Sequence, residues 1–118
     1  MANTGTFNIS YGGTLHVELH RKGFLGLFRR AALADCLEFS LSGIRLVTKA
    51  KLRVGEALVL DLSLHDLRVE ELPGVVRQAS AQNERRCYDI DFAPSSAQRS
   101  NTLHCLRHID SHIRMHSP

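Results

Sequence analysis

Four histidines close the chain at strict four-residue intervals: His104, His108, His112 and His116. On a helix this spacing stacks them along one face, and histidines at i and i+4 are also spaced to share a metal ion. The stripe falls well away from the apolar positions Leu106, Ile109 and Ile113, so it faces water. Only Cys105 and Asp110 stand near it in sequence, and neither is placed to close a site. No metal is expected beyond adventitious capture of nickel or zinc. Cys36, Cys87 and Cys105 are an odd number without paired spacing. This argues against a disulfide framework and for small apolar packing residues. The chain holds no nucleophile elbow, Walker loop, paired-carboxylate pattern or dinucleotide glycine series. No catalytic residue and no cofactor follow, and the expectation is a protein that is not an enzyme.

Two stretches with binding chemistry remain. In the first, Arg21, Lys22, Arg29 and Arg30 bracket an apolar loop with Phe24, Leu25, Leu27 and Phe28. Guanidiniums beside aromatic rings suit phosphate pairing and base stacking. The same loop is also a natural docking surface for a protein partner, and the plainest alternative tucks its apolar residues into the core while the cations stay wet. It is too short for an amphipathic membrane helix. The second stretch is Glu38-Phe39-Ser40-Leu41-Ser42-Gly43, a polar turn between apolar runs. Ser40 and Ser42 suit hydrogen bonds to nearby backbone groups that hold a corner, and Gly43 suits a position that a Cβ would crowd.

The elements that would carry these stretches are mostly strands. Thr14–His20 alternates, with Leu15, Val17 and Leu19 on one side and His16, Glu18 and His20 on the solvent side. Further strands are read at 31–39, 44–48 and 57–64, with Leu58, Leu60, Leu62 and Leu64 sharing one face. A hairpin across His65-Asp66 leads to 67–72. Pro73-Gly74 is expected to break that strand, leaving 75–79 and 87–92 as a last pair joined by a polar, mobile 80–86. Residues 1–13 are a loosely ordered lead-in with a short edge strand at Thr6–Ser10. Short, regularly spaced strands mean a small antiparallel barrel or sandwich. From Ser95 or Ser96, a helix cap, an apolar stripe of Leu103, Leu106, Ile109 and Ile113 predicts a terminal helix over 95–115. With 118 residues the expectation is one domain, residues 1–118. No signal peptide or membrane span is read, which together with the cysteines points to the cytoplasm. A net charge of +3 with histidines neutral permits an anionic partner without demanding one. Nucleic acid fits poorly, because the charge is modest and surface aromatics are sparse.

The turn Glu38-Phe39-Ser40-Leu41-Ser42-Gly43 resembles the D/N-x-S-x-x-G signature of the PilZ family, bacterial domains many of which bind cyclic di-GMP. Leu52–Leu60, Pro73–Arg77 and Tyr88–Phe92 resemble that family's later strand motifs in the family's order, so the likeness runs over about residues 14–115. It implies a mainly β fold, a small six-stranded antiparallel barrel with a C-terminal α-helix, working as a non-enzymatic signalling domain. It also implies cyclic di-GMP as ligand, with Glu38, Ser40 and Gly43 at the turn and Arg21, Arg29 and Arg30 on phosphates and guanines. The family's other feature, an R-x-x-x-R motif before the barrel, has no counterpart, since residues 1–13 contain no arginine. Charge-assisted hydrogen bonds contribute roughly 1.5–3 kcal/mol each. Losing two arginines therefore weakens binding by about two to four orders of magnitude. The alternative is a nucleotide-independent adaptor that docks through loop 21–30.

Overall fold

The computed structural model describes residues 7–8, 15–21, 30–82 and 84–116. Among the described residues, seven strands are followed by one helix: β1 (Phe7–Asn8), β2 (Leu15–Arg21), β3 (Arg30–Phe39), β4 (Gly43–Thr48), β5 (Ala57–Leu64), β6 (Leu67–Gln82), β7 (Arg85–Phe92) and α1 (Arg99–His116). All pairings are antiparallel. The order β3-β2-β5-β6-β7-β4 closes on itself because β4 also pairs with β3. The result is a six-stranded barrel with a C-terminal helix, and closure leaves no free sheet edge among these six strands. The two-residue β1 pairs with the end of β3, Phe7 opposite Phe39 and Asn8 opposite Glu38.

Alternation builds the interior. Leu15, Val17 and Leu19 of β2 and Leu58, Leu60, Leu62 and Leu64 of β5 are buried, as their period of two requires. The hairpin at His65-Asp66 is present, with His65 at a φ of 54°. The helix buries Leu106, Ile109 and Ile113 and packs on β6, while Leu103 is only half-buried. Ser95 caps its approach. The Gln98 N–H donates to Ser95 Oγ at 3.3 Å and the Ser95 N–H to Gln98 Oε1 at 3.1 Å, a reciprocal capping box. Regular helix then runs from Arg99 to His116, four residues later than the sequence places its start.

Two expectations need correction. Pro73-Gly74 does not break the strand, and β6 runs unbroken through it to Gln82. The Pro73 carbonyl accepts the Ala93 N–H at 2.7 Å, on the side where β7 has already ended at Phe92. Its missing N–H therefore faces a place where the ladder needs no donor. Gly74 is buried between β5 and β7, and a Cβ there would lie 2.8 Å from Leu60 Cδ1 and from Ile90 Cγ2. The segment 80–86, expected as a mobile loop, is mostly paired strand, with Ser80 opposite Cys87 and Gln82 opposite Arg85. A bulge lies between Leu60 and Leu62, where Asp61 faces both Glu70 and Glu71, and Glu71 takes a φ of 55°. Of the lead-in, only Phe7–Asn8 is described.

Candidate functional site

The turn after β3 is built by one hydroxyl. Ser40 Oγ accepts the N–H groups of Ser42 and Gly43, each at 3.2 Å, while the Ser40 N–H donates to the Gly43 carbonyl at 2.9 Å. Ser40 is buried and its side chain is spent on the corner. Gly43 is required for closeness: a Cβ would sit 2.5 Å from the Ile90 carbonyl oxygen, well inside contact. The turn is thereby pressed against β7, and the Phe92 N–H bonds the Ser42 carbonyl at 2.9 Å.

Outside this corner, charged side chains alternate in sign across four strands. Glu38 lies 3.3 Å from Arg45. The Arg45 guanidinium grips Asp89 with Nε at 2.7 Å and a second nitrogen at 3.3 Å. Arg77 lies 3.7 Å from Asp89 and donates to Asp91 at 3.0 Å. The hydrogen bond from Arg45 to Asp89, with the charge of the same carboxylate, holds the guanidinium firmly protonated and raises its pKa. Bulges on β3 and β6 create this ladder. Leu37 is the extra residue between Cys36 and Glu38, and the register shift turns Glu38 outward while Phe39 goes into the core. Arg77 is the extra residue between Val76 and Gln78. Bulges re-aim side chains, and the one at Leu37 turns Glu38 onto the face where Arg77 points outward beside the buried Val76.

Glu38, Ser40, Gly43, Arg45, Arg77, Asp89 and Asp91 line a hollow of about 140 Å³. A second hollow, of about 320 Å³, shares Arg45 and Asp89 with it and continues toward Gln78 and Ser80. Three carboxylates against two guanidiniums leave the ladder with one net negative charge.

Of the residues expected to bind, Glu38, Ser40 and Gly43 are brought together at this hollow. Of the cations expected from loop 21–30, Arg21 is not among the described residues of its walls. Arg21 donates to Glu56 at 2.7 Å, at the corner where Gly55 has a φ of 90°. Arg30 opens β3 opposite Arg21, eight residues before Glu38, which is about 26 Å of strand. Phe24, Leu25, Leu27, Phe28 and Arg29 lie outside the described residues. Arg45, Arg77, Asp89 and Asp91 were not singled out from the sequence. The available signal was a charged residue flanked by core residues in each strand: Arg45 between Ile44 and Leu46, Arg77 after Val76, Asp89 between Tyr88 and Ile90.

The histidine stripe forms pairs. His104 and His108 meet with Nε2 atoms 3.2 Å apart, and the His112 ring stands edge-on to His65 at 4.7 Å. Burial pushes the Cys36 thiol up to about 12, helped by the charge of Glu38, so it is inert as a nucleophile. No described helix is long and apolar enough to cross a membrane.

No family model matches the chain, and no curated protein does. Solved structures do. MrkH, described as a cyclic di-GMP-dependent transcription regulatory factor, aligns with a TM-score of 0.67 at 15% identity over 95% of this chain and 50% of its own. YcgR from Escherichia coli, solved with cyclic di-GMP, aligns with a TM-score of 0.61 at 11% identity over 93% of this chain and 46% of its own. The chain thus spans about half the length of each structure it matches. At these identities the likeness shows the fold, a PilZ-like six-stranded antiparallel barrel with a C-terminal helix.

Proposed function

We propose that this chain is a non-enzymatic signalling module that binds cyclic di-GMP weakly, on the outer face of β3, β4, β7 and β6. The observation that carries it is the clustering of Arg45 and Arg77 beside the Glu38–Gly43 turn. Guanine offers two donors on its Watson–Crick edge to carboxylates such as Glu38 or Asp91. Guanidiniums offer paired donors to phosphates and flat surfaces to bases. Arg45 and Arg77 take the place of the arginines that the lead-in lacks. That Arg77 is 58% exposed supports it as the more available cation. Breaking its exposed pair with Asp91 costs only about 0–1 kcal/mol, whereas the pairs to the buried Asp89 cost more to part.

The one net negative charge of the ladder sets the strength. A dianionic ligand must pull the arginines from their carboxylates, so affinity falls below that of a site with free arginines and drops further with salt. Backbone amide NMR during titration with cyclic di-GMP tests the assignment. Saturable shifts are expected at Ser40–Arg45, Arg77 and Asp89, and shifts confined to residues 21–30 would overturn it. Leu33 favours the adaptor reading as a second possibility. It is 75% exposed on β3, three residues beyond Arg30, a large apolar side chain left in water near the strand end that follows residues 22–29.

A further inference from the structure

We infer that the opposite wall of the barrel carries a divalent transition-metal site of the zinc class, formed by Glu18, His20 and Asp61. Glu18 and His20 are two residues apart on β2, so both project from its outer face. Asp61 of β5 is paired directly with Glu18 across the strands. Two carboxylates placed opposite each other repel, an arrangement that costs stability unless a cation relieves it. His20 Nε2 reaches Asp61 Oδ2 at 2.8 Å and Glu18 Oε1 at 3.4 Å, and one donor atom from each of the three lies within 4.8 Å of the others.

The two separations from His20, 2.8 and 3.4 Å, are those of ligands around one ion, and the Glu18 and Asp61 oxygens lie within 4.8 Å of each other. Bonds of about 2.0–2.2 Å meeting at about 90–110° put neighbouring donors roughly 2.8–3.6 Å apart. One imidazole nitrogen and two carboxylate oxygens suit zinc and its neighbours, and three protein ligands leave a position open to water or a partner's side chain. The wall also orients the site. Asp61 Oδ1 accepts the Glu71 N–H at 2.8 Å, at the bulge where Glu71 has its positive φ, which turns Oδ2 toward His20. A hollow of about 70 Å³ borders Glu18 and Asp61, with His16 on its rim. Arg68, also on that rim, is directed to Glu70 at 3.9 Å. An ion here would clamp β2 to β5 one residue before Arg21, where the chain enters loop 22–29.

The test is calorimetric titration of the full chain, stripped by chelator, with zinc chloride. A His104→Asn/His108→Asn background removes the helix pair, which would otherwise capture zinc. One site is expected to persist in that background. It should weaken at least about tenfold in Glu18→Gln and again in His20→Asn. Both substitutions leave the Asp61 bond to Glu71 intact, and circular dichroism confirms that each variant is folded. Absence of zinc heat in the background protein, or heat unchanged by Glu18→Gln, would overturn the site and leave His20 as the partner of an ordinary ion pair.

Discussion

The two outer walls of this barrel share one interior and differ in how they treat charge. On the β3-β4-β7-β6 face, arginines and carboxylates alternate from Glu38 to Asp91 and nearly cancel. On the β2-β5 wall, two carboxylates face each other with a single histidine between them. Beneath both run the same buried alternating residues, Leu19 and Leu60 on one side, Leu46 and Ile90 on the other. An interior fixed by apolar alternation leaves the outward positions free, so one scaffold carries two faces of different charge, which we propose are two different binding surfaces. The first suits an anion that competes for arginines, the second a cation that relieves repulsion.

The largest expected effect lies under the turn face. Gly43→Ala puts a methyl against the Ile90 carbonyl, a backbone atom held in the ladder. Chemical denaturation should show a loss of about 3 kcal/mol. Gly74→Ala meets the Leu60 Cδ1 and the β-branch Cγ2 methyl of Ile90, side-chain atoms rather than backbone at that distance, and one carbonyl at 3.3 Å, so a smaller loss of about 1–2 kcal/mol is expected there. Equal losses would mean that β4 and β7 part more easily than their register implies.

Alkaline stability separates the layers beneath the same face. The Cys36 thiol has an ordinary pKa of 9.0 when unfolded, and burial, helped by the charge of Glu38, pushes it up to about 12 when folded. Only the unfolded chain loses this proton in that window, so the contribution is intact below pH 9 and declines as pH rises toward 12. The slope approaches about 1.4 kcal/mol per pH unit. The difference between wild type and Cys36→Ala, followed by denaturation across that range, should show this slope.

On the opposite wall, Asp61→Ala removes the acceptor for the Glu71 N–H and the partner of His20. About 1 kcal/mol should be lost. Arg77→Ala removes an exposed pair with Asp91 and a long 3.7 Å contact to the buried Asp89, which Arg45 still grips, so its stability should stay within about 1 kcal/mol of wild type. A large loss from Arg77→Ala would make the ladder a structural clasp.

Much of the scaffold was legible from period two. The leucines of β5 and the alternation of β2 placed the core, and the helical stripe placed α1. The Ser40 corner and the crowding at Gly43 were legible as well, because serine and glycine carry local backbone meanings. The ladder was not. Counting in twos from Cys36 sends Glu38 into the core, and only the bulge at Leu37 turns it outward. Arg45, Arg77 and Asp89 stand 12 to 44 residues apart in sequence and converge only when β4, β7 and β6 pair. Loop 21–30, rich in cations, drew attention by composition. Yet Arg21 is paired with Glu56, and the two guanidiniums beside the turn come from strands whose arginines look ordinary in isolation.

Isothermal titration with cyclic di-GMP at low salt, comparing wild type, Arg77→Ala and Arg29→Ala/Arg30→Ala, weighs these two arginine sources against each other. Weak saturable heat that Arg77→Ala abolishes and the double variant retains is the outcome expected of the ladder. Heat that survives Arg77→Ala and disappears in the double variant would place the nucleotide on the loop, and no heat at near-millimolar ligand would remove it from this protein.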